Sequence, residues 1–226
     1  MKRYAVYYAP RPGAFADRAA RWLGHDPATG RALPQPDLPG LPRPAAGLTA
    51  APRRYGFHGT LRAPFRPAAG MDGAAVAAAV AALAARLAPV RCEGLRLENL
   101  SGFLALTPTG DTAALMALAA AVVEGTDALR APLTAAETAR RRPERLSPRQ
   151  RDLLDRWGYP FVMEEFRFHL TLTDALPADT AAAAAPVLAA HFAPVLPAPF
   201  AVEDLCLFGE DDAGRFHLLH RYALSG

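Results

Sequence analysis

Two short segments carry residues whose types and spacing suit joint chemistry: His58-Gly59-Thr60-Leu61 and His169-Leu170-Thr171-Leu172. Each offers an imidazole and, two residues on, a hydroxyl. The free imidazole titrates near pH 6.5, so at neutral pH one ring can be neutral while the other is protonated. Such a pair suits hydrolysis of a phosphodiester, with no metal required. One ring takes the proton of the attacking water, and the other protonates the leaving oxygen across the phosphorus. Each well-placed transfer is worth roughly 10²–10⁴ in rate. The Thr60 and Thr171 hydroxyls can donate to the non-bridging oxygens, where negative charge must be held. A lone His-x-Thr on a strand is usually inert; what lifts these two is that they recur in register.

The surrounding elements repeat with them. Each motif reads as a strand (55–63 and 162–173) followed by an alanine-rich helix (72–88 and 178–191, the second capped by Asp179 or Thr180). Glu93-Gly94-Leu95-Arg96-Leu97 then parallels Glu203-Asp204-Leu205-Cys206-Leu207, 35 residues after His58 and 34 after His169. A hairpin follows in each case: strands within 93–107 meeting at Asn99–Gly102, and strands at 200–208 and 215–223 around Asp211–Gly214. Alternation along a strand sorts side chains between two faces. Phe57, Gly59, Leu61 and Ala63 share an apolar face, as do Phe166, Phe168, Leu170 and Leu172; His58, Thr60 and Arg62, and Arg167, His169, Thr171 and Thr173, share the polar ones. The expectation is an α+β fold. Residues 1–226 make one bilobal domain with an internal repeat, the first lobe motif at 55–63 and the second at 162–173. Each lobe is a small antiparallel sheet covered by helices, and the polar faces line a central groove.

The rest of the chain fills in this frame. Residues 3–9 read as a strand, 14–23 as a helix and 111–124 as a helix capped by Asp111. Residues 26–52, with five prolines between Pro34 and Pro44, read as a loop able to close over a small ligand. Residues 139–161 are a charged insert, in which Ser147-Pro148 starts a helix. Arg54, Arg62 and Arg167 lie within a few residues of a motif histidine and are candidate phosphate anchors. Tyr159 is a candidate for stacking on a sugar or base, against the more ordinary alternative of packing beside Pro160.

Composition sets the outer bounds. With 51% hydrophobic and 21% charged residues over 226 positions, the chain is globular and not disordered. No apolar run is long enough to span a membrane. A net charge of +3 attracts a small phosphate ester but is no polyanion footprint. Lys2 is the only lysine, so the arginine content reflects coding bias and is not in itself a nucleic-acid signal. Cys92 and Cys206 make no disulfide framework and read as reduced core thiols, which with the absence of an apolar leader points to the cytoplasm. No spacing suggests a metal site, and no cofactor is expected.

The paired HGTL and HLTL tetrapeptides resemble the signatures of the two-histidine (2H) phosphoesterase superfamily. The longer RYGFHGTLRAPF and WGYPFVMEEFRFHLTLT resemble its branch encoded in bacterial phosphonate-utilisation operons. The resemblance implies the bilobal fold, with His58, Thr60, His169 and Thr171 as catalytic residues. It also implies hydrolysis of a cyclic phosphodiester, here a small ribose cyclic phosphate in phosphonate catabolism; separately, a monomer that needs no cofactor is expected. Two alternatives stand beside it: a 2′,3′-cyclic phosphodiesterase acting on RNA ends, and a non-catalytic phosphate- or RNA-binding module. Two intact histidines argue against the last.

Overall fold

A computed structural model describes residues 1–226. The Tyr- and Val-rich start becomes β1 (Tyr4–Tyr8), followed by the amphipathic α1 (Ala14–Leu23), which buries Ala19, Trp22 and Leu23. The proline-rich stretch holds only a short hairpin, β2 (His25–Asp26) with β3 (Arg31–Ala32). The first motif opens β4 (Gly59–Phe65), and Asp72 caps α2 (Gly73–Ala84) by accepting from the Ala75 amide at 2.8 Å. Next come β5 (Val90–Cys92), the hairpin β6 (Gly94–Leu100) and β7 (Phe103–Thr109), and α3 (Ala113–Gly125). The charged insert forms α4 (Ala135–Arg140) and α5 (Pro148–Trp157), each started by a capping box, at Thr134 and Ser147. The second motif holds β8 (Leu170–Thr171), and α6 (Ala178–Phe192) follows. The chain then forms β9 (Phe200–Val202), β10 (Asp204–Glu210) and β11 (Phe216–Ala223).

Seven strands align in one antiparallel sheet in the order β11-β10-β1-β4-β8-β7-β6, and β5 pairs with β9 separately. The two expected sheets are the halves of this one, β11-β10-β1-β4 and β8-β7-β6. They meet at a single register pair, Gly59 with Leu170. The halves are not consecutive in sequence. The hairpin after the first motif, β6–β7, pairs with the second motif strand, while β10 of the last hairpin pairs with β1 beside the first. Each repeat lends its hairpin to the other.

The helices cover one face, as the alternation requires. Phe57, Leu61, Phe166, Phe168, Leu170 and Leu172 all enter the main core with Val76, Leu118, Leu188 and Phe192 from the helices. Several boundaries differ from expectation. The second motif strand shrinks from 162–173 to two residues because β8 finds one partner residue on β4 and two on β7. Residues 163–165 form a 3-10 turn instead. The first motif strand starts at Gly59 and not at residue 55, since Gly56 takes φ 72° after the 3-10 turn at Pro52–Arg54. Ala63 leaves the apolar face: register shifts between β1 and β4 turn it toward the groove. Asp179 and Thr180 lie within the first turn of α6, which is preceded by Pro177.

Candidate functional site

The seam places the motif residues. With Gly59 opposite Leu170, the antiparallel register sets His58 across from Thr171 and Thr60 across from His169, all four on the face opposite the core. The two histidines are therefore diagonal neighbours, a relation that in a regular antiparallel pair sets residues roughly 7–8 Å apart. Gly59 makes the seam possible. A Cβ there would lie 2.3 Å from the Phe168 ring, which fills the space beneath the glycine.

Both imidazoles are held in the same way. His58 Nδ1 lies 2.9 Å from the Gly56 carbonyl, and His169 Nδ1 lies 2.7 Å from the Arg167 carbonyl, in each case two residues back. A carbonyl only accepts, so Nδ1 carries the proton and the Nε2 lone pair is left free. Gly56 reaches its position with φ 72°, where a side chain would also collide with Pro27. Each ring has an aromatic neighbour from the adjacent strand. Tyr7 of β1 stacks on His58 at 4.0 Å and 27°, and Phe103 of β7 is tilted against His169 at 5.5 Å. Desolvation lowers the His58 pKa to about 4, opposed by the Gly56 carbonyl and reinforced by the nearby His169; it lowers that of His169 as well. At neutral pH both rings rest as free bases.

His58, Thr60 and Thr171 line a cavity of about 710 Å³ with Tyr7, Tyr55 and Asp174. His169 lines an adjoining cavity of about 370 Å³, which shares Thr60, Phe103 and Tyr159 with the first. The structure thus brings the four motif residues to one continuous cleft. Tyr159, from the insert, lines both cavities and also packs against the cluster of Val123, Leu153 and Val162. The three arginines separate. Arg54 is exposed and lines a side recess, and Arg62 lines the same recess, only 2% exposed and bonded to Asp127 at 3.2 Å. Arg167 points to the His169 side, away from both. The bulge in β4 is the physical reason Arg62 leaves the row of His58 and Thr60.

The proline-rich loop does not stand free over the cleft. Leu48 and Ala45 are buried in the core, and the Asp174 carboxylate accepts from the Ala50 and Ala51 amides at 2.9 and 2.7 Å. Arg53 bonds the Leu23 carbonyl and Gln35, tying the loop to α1. Sequence reasoning missed Tyr7, Phe103 and Arg141 as cleft residues. Tyr7 reads as an ordinary strand aromatic until β1 is paired with β4. No group of three or more His, Cys, Asp or Glu side chains is placed to hold a metal, and no helix is long and apolar enough to cross a membrane.

The chain is similar to several known proteins. The "Ribose 1,5-bisphosphate phosphokinase PhnN" of Janthinobacterium sp. (strain Marseille) is 40% identical over 220 residues, covering 95% of this chain and 49% of that protein. The protein of the same name from Laribacter hongkongensis (strain HLHK9) is 41% identical over 217 residues, covering 94% and 49%. The chain thus spans about half the length of these curated relatives. Among solved structures, E. coli LigT complexed with 3′-AMP aligns at 17% identity and a TM-score of 0.44, covering 100% of this chain and 99% of that one. TT0787 of Thermus thermophilus aligns at 16% identity and a TM-score of 0.44, covering 99% and 98%. Residues 60–217 match the family described as "Protein of unknown function (DUF1045)", and the chain belongs to that family.

Proposed function

We propose that this chain is a metal-independent cyclic phosphodiesterase that opens a cyclic phosphate on a phosphorylated ribose. The observation that carries the reading is the seam: two imidazoles held through Nδ1, with Nε2 free, diagonal to each other and each opposite a threonine hydroxyl. His58, the more desolvated ring beneath Tyr7, is the resting base. It takes a proton from water as the water oxygen bonds to phosphorus. His169 gains its proton as the anionic substrate binds and passes it to the leaving sugar oxygen as the phosphorus–oxygen bond breaks. Thr60 and Thr171 donate to the non-bridging oxygens.

The name of the relatives supports the choice of sugar. Opening a 1,2-cyclic phosphate of ribose 5-phosphate at the C2 oxygen leaves ribose 1,5-bisphosphate, the compound in that name. This chain covers only 49% of each of those relatives, so the activity in their name need not be its own. A phosphate-binding P-loop requires a lysine, and the single lysine here is Lys2. A chain that supplies a bisphosphate beside one that phosphorylates it makes a coherent pair. The test is competition in one assay between ribose 5-phosphate 1,2-cyclic phosphate, a nucleoside 2′,3′-cyclic phosphate and an RNA with a 2′,3′-cyclic end. The highest kcat/KM is expected for the phosphorylated ribose. A higher value for the RNA end would make this an RNA-processing enzyme, and turnover of none would end the catalytic reading.

A further inference from the structure

We propose that the arginine-lined recess between β4, α4 and α5 is the subsite for the substrate's second, monoester phosphate, an inference that rests on the reading above. The recess has a volume of about 360 Å³ and is lined by seven guanidinium groups. Four are committed to carboxylates. Arg3 is bidentate to Glu210 at 2.6 and 2.7 Å, Arg66 is bidentate to Glu137 at 2.9 and 3.0 Å, and Arg62 and Arg130 converge on Asp127 at 3.2 and 2.7 Å. Three acids therefore answer seven cations. Arg54, Arg140 and Arg141 have no carboxylate partner. Arg141 is instead held over the Tyr159 ring at 4.8 Å.

Arg62 is the second, independent sign. It is 2% exposed, and its Nη1 is buried with no hydrogen-bond partner. A buried, unpaired donor on a charged group is costly, and an anion in the recess that Arg62 lines would offset the cost of burying its charge. Guanidinium forks match the oxygens of a phosphate monoester, whose double charge answers the excess better than a carboxylate would.

The recess opens onto the chemistry. Arg3, Tyr55, Arg141 and Tyr159 line both it and the cavity of His58 and Thr171. A ligand with a cyclic phosphate at the histidines and a monoester phosphate in the recess would bridge the two. Trp157, Gly158 and Tyr159 wall the recess, which suits a terminal phosphate and not a continuing polymer backbone. The insert acquires a role as well: α4 brings Arg140, Arg141 follows it, and the end of α5 brings the wall.

Two measurements test this. The first compares kcat/KM for ribose 1,2-cyclic phosphate with and without the 5-phosphate, in the native protein and in an Arg54→Ala/Arg140→Ala double variant, both residues lining the recess and neither the cavity of the histidines. The native protein should prefer the phosphorylated sugar by about tenfold or more. The variant should lose that preference through KM while keeping its rate on the unphosphorylated sugar. Equal losses on both sugars, or none on either, would overturn the subsite. The second is calorimetric titration of ribose 5-phosphate, which needs no turnover. Binding should survive His58→Ala and vanish in the arginine double variant. If it does so while neither cyclic sugar is hydrolysed, the subsite stands and the catalytic reading falls. If the sugars are hydrolysed but ribose 5-phosphate binding ignores the arginines, only the subsite falls.

Discussion

The two motif segments hold the same chemistry in unlike frames. His58 precedes a seven-residue strand flanked on both sides, has a tyrosine stacked on it and lies against a glycine. His169 precedes a two-residue strand, has a tilted phenylalanine beside it and a leucine after it. The i−2 carbonyl contact is the same in both. What the halves share is the hold on the ring, and what differs is how dry the ring is kept. Equivalent residues placed by a repeat can thus be tuned apart by their neighbours, which is what a base and an acid require.

The most damaging way to break the pairing is to remove either imidazole. His58→Ala and His169→Ala should each lower kcat on the cyclic ribose by about 10³-fold or more, within the range of lost proton transfer, and the double variant should lose little beyond either single one. A histidine variant with near-native kcat would refute the joint mechanism. Thr60→Val and Thr171→Val should cost less, about 2–4 kcal/mol of transition-state stabilisation each.

Next comes the seam. Gly59→Ala forces a Cβ into the Phe168 ring, so urea denaturation should show a loss of about 1–3 kcal/mol, whereas Leu170→Met, on the other side of the pair, should cost under about 1.5 kcal/mol. Equal tolerance at both positions would mean that the halves do not meet there.

The smallest effect is expected in the pH profile. If His58 is the base, the acid limb of kcat/KM lies well below pH 6.5, because the free ring protonates only near 4. Tyr7→Leu admits water to His58, raises its pKa toward the ordinary value and moves the acid limb to higher pH. Phe103→Leu should move it less. The reverse order would exchange the roles of the two histidines.

Much of this was legible in residue order. Alternation around each motif placed Phe57, Leu61, Phe166 and Leu172 in the core because burial on one face enforces a period of two. Ser147-Pro148 announced its helix through capping chemistry that is local. The exchange of hairpins was hidden, since both pairing schemes satisfy the same alternation. Tyr7 and Arg141 escaped notice for a related reason: their roles depend on strands and helices that arrive from far along the chain. The departure of Arg62 from the row of His58 and Thr60 was hidden too, because it follows from the β4 bulge, and a bulge leaves no mark in this sequence.

The exchanged hairpins bear on how the protein comes into being. β1 lies between β4 and β10, a strand that begins nearly two hundred residues later, at Asp204. On the ribosome, the lobe around His58 must wait with an unpaired edge until that strand emerges, while β6, β7 and β8 can already assemble. Pairings of such long reach close slowly and leave hydrophobic strands open to aggregation in the interval. Severing the chain between the repeats would likewise yield no pair of miniature lobes, because each fragment would carry the other's missing hairpin. The two histidines are matured together or not at all.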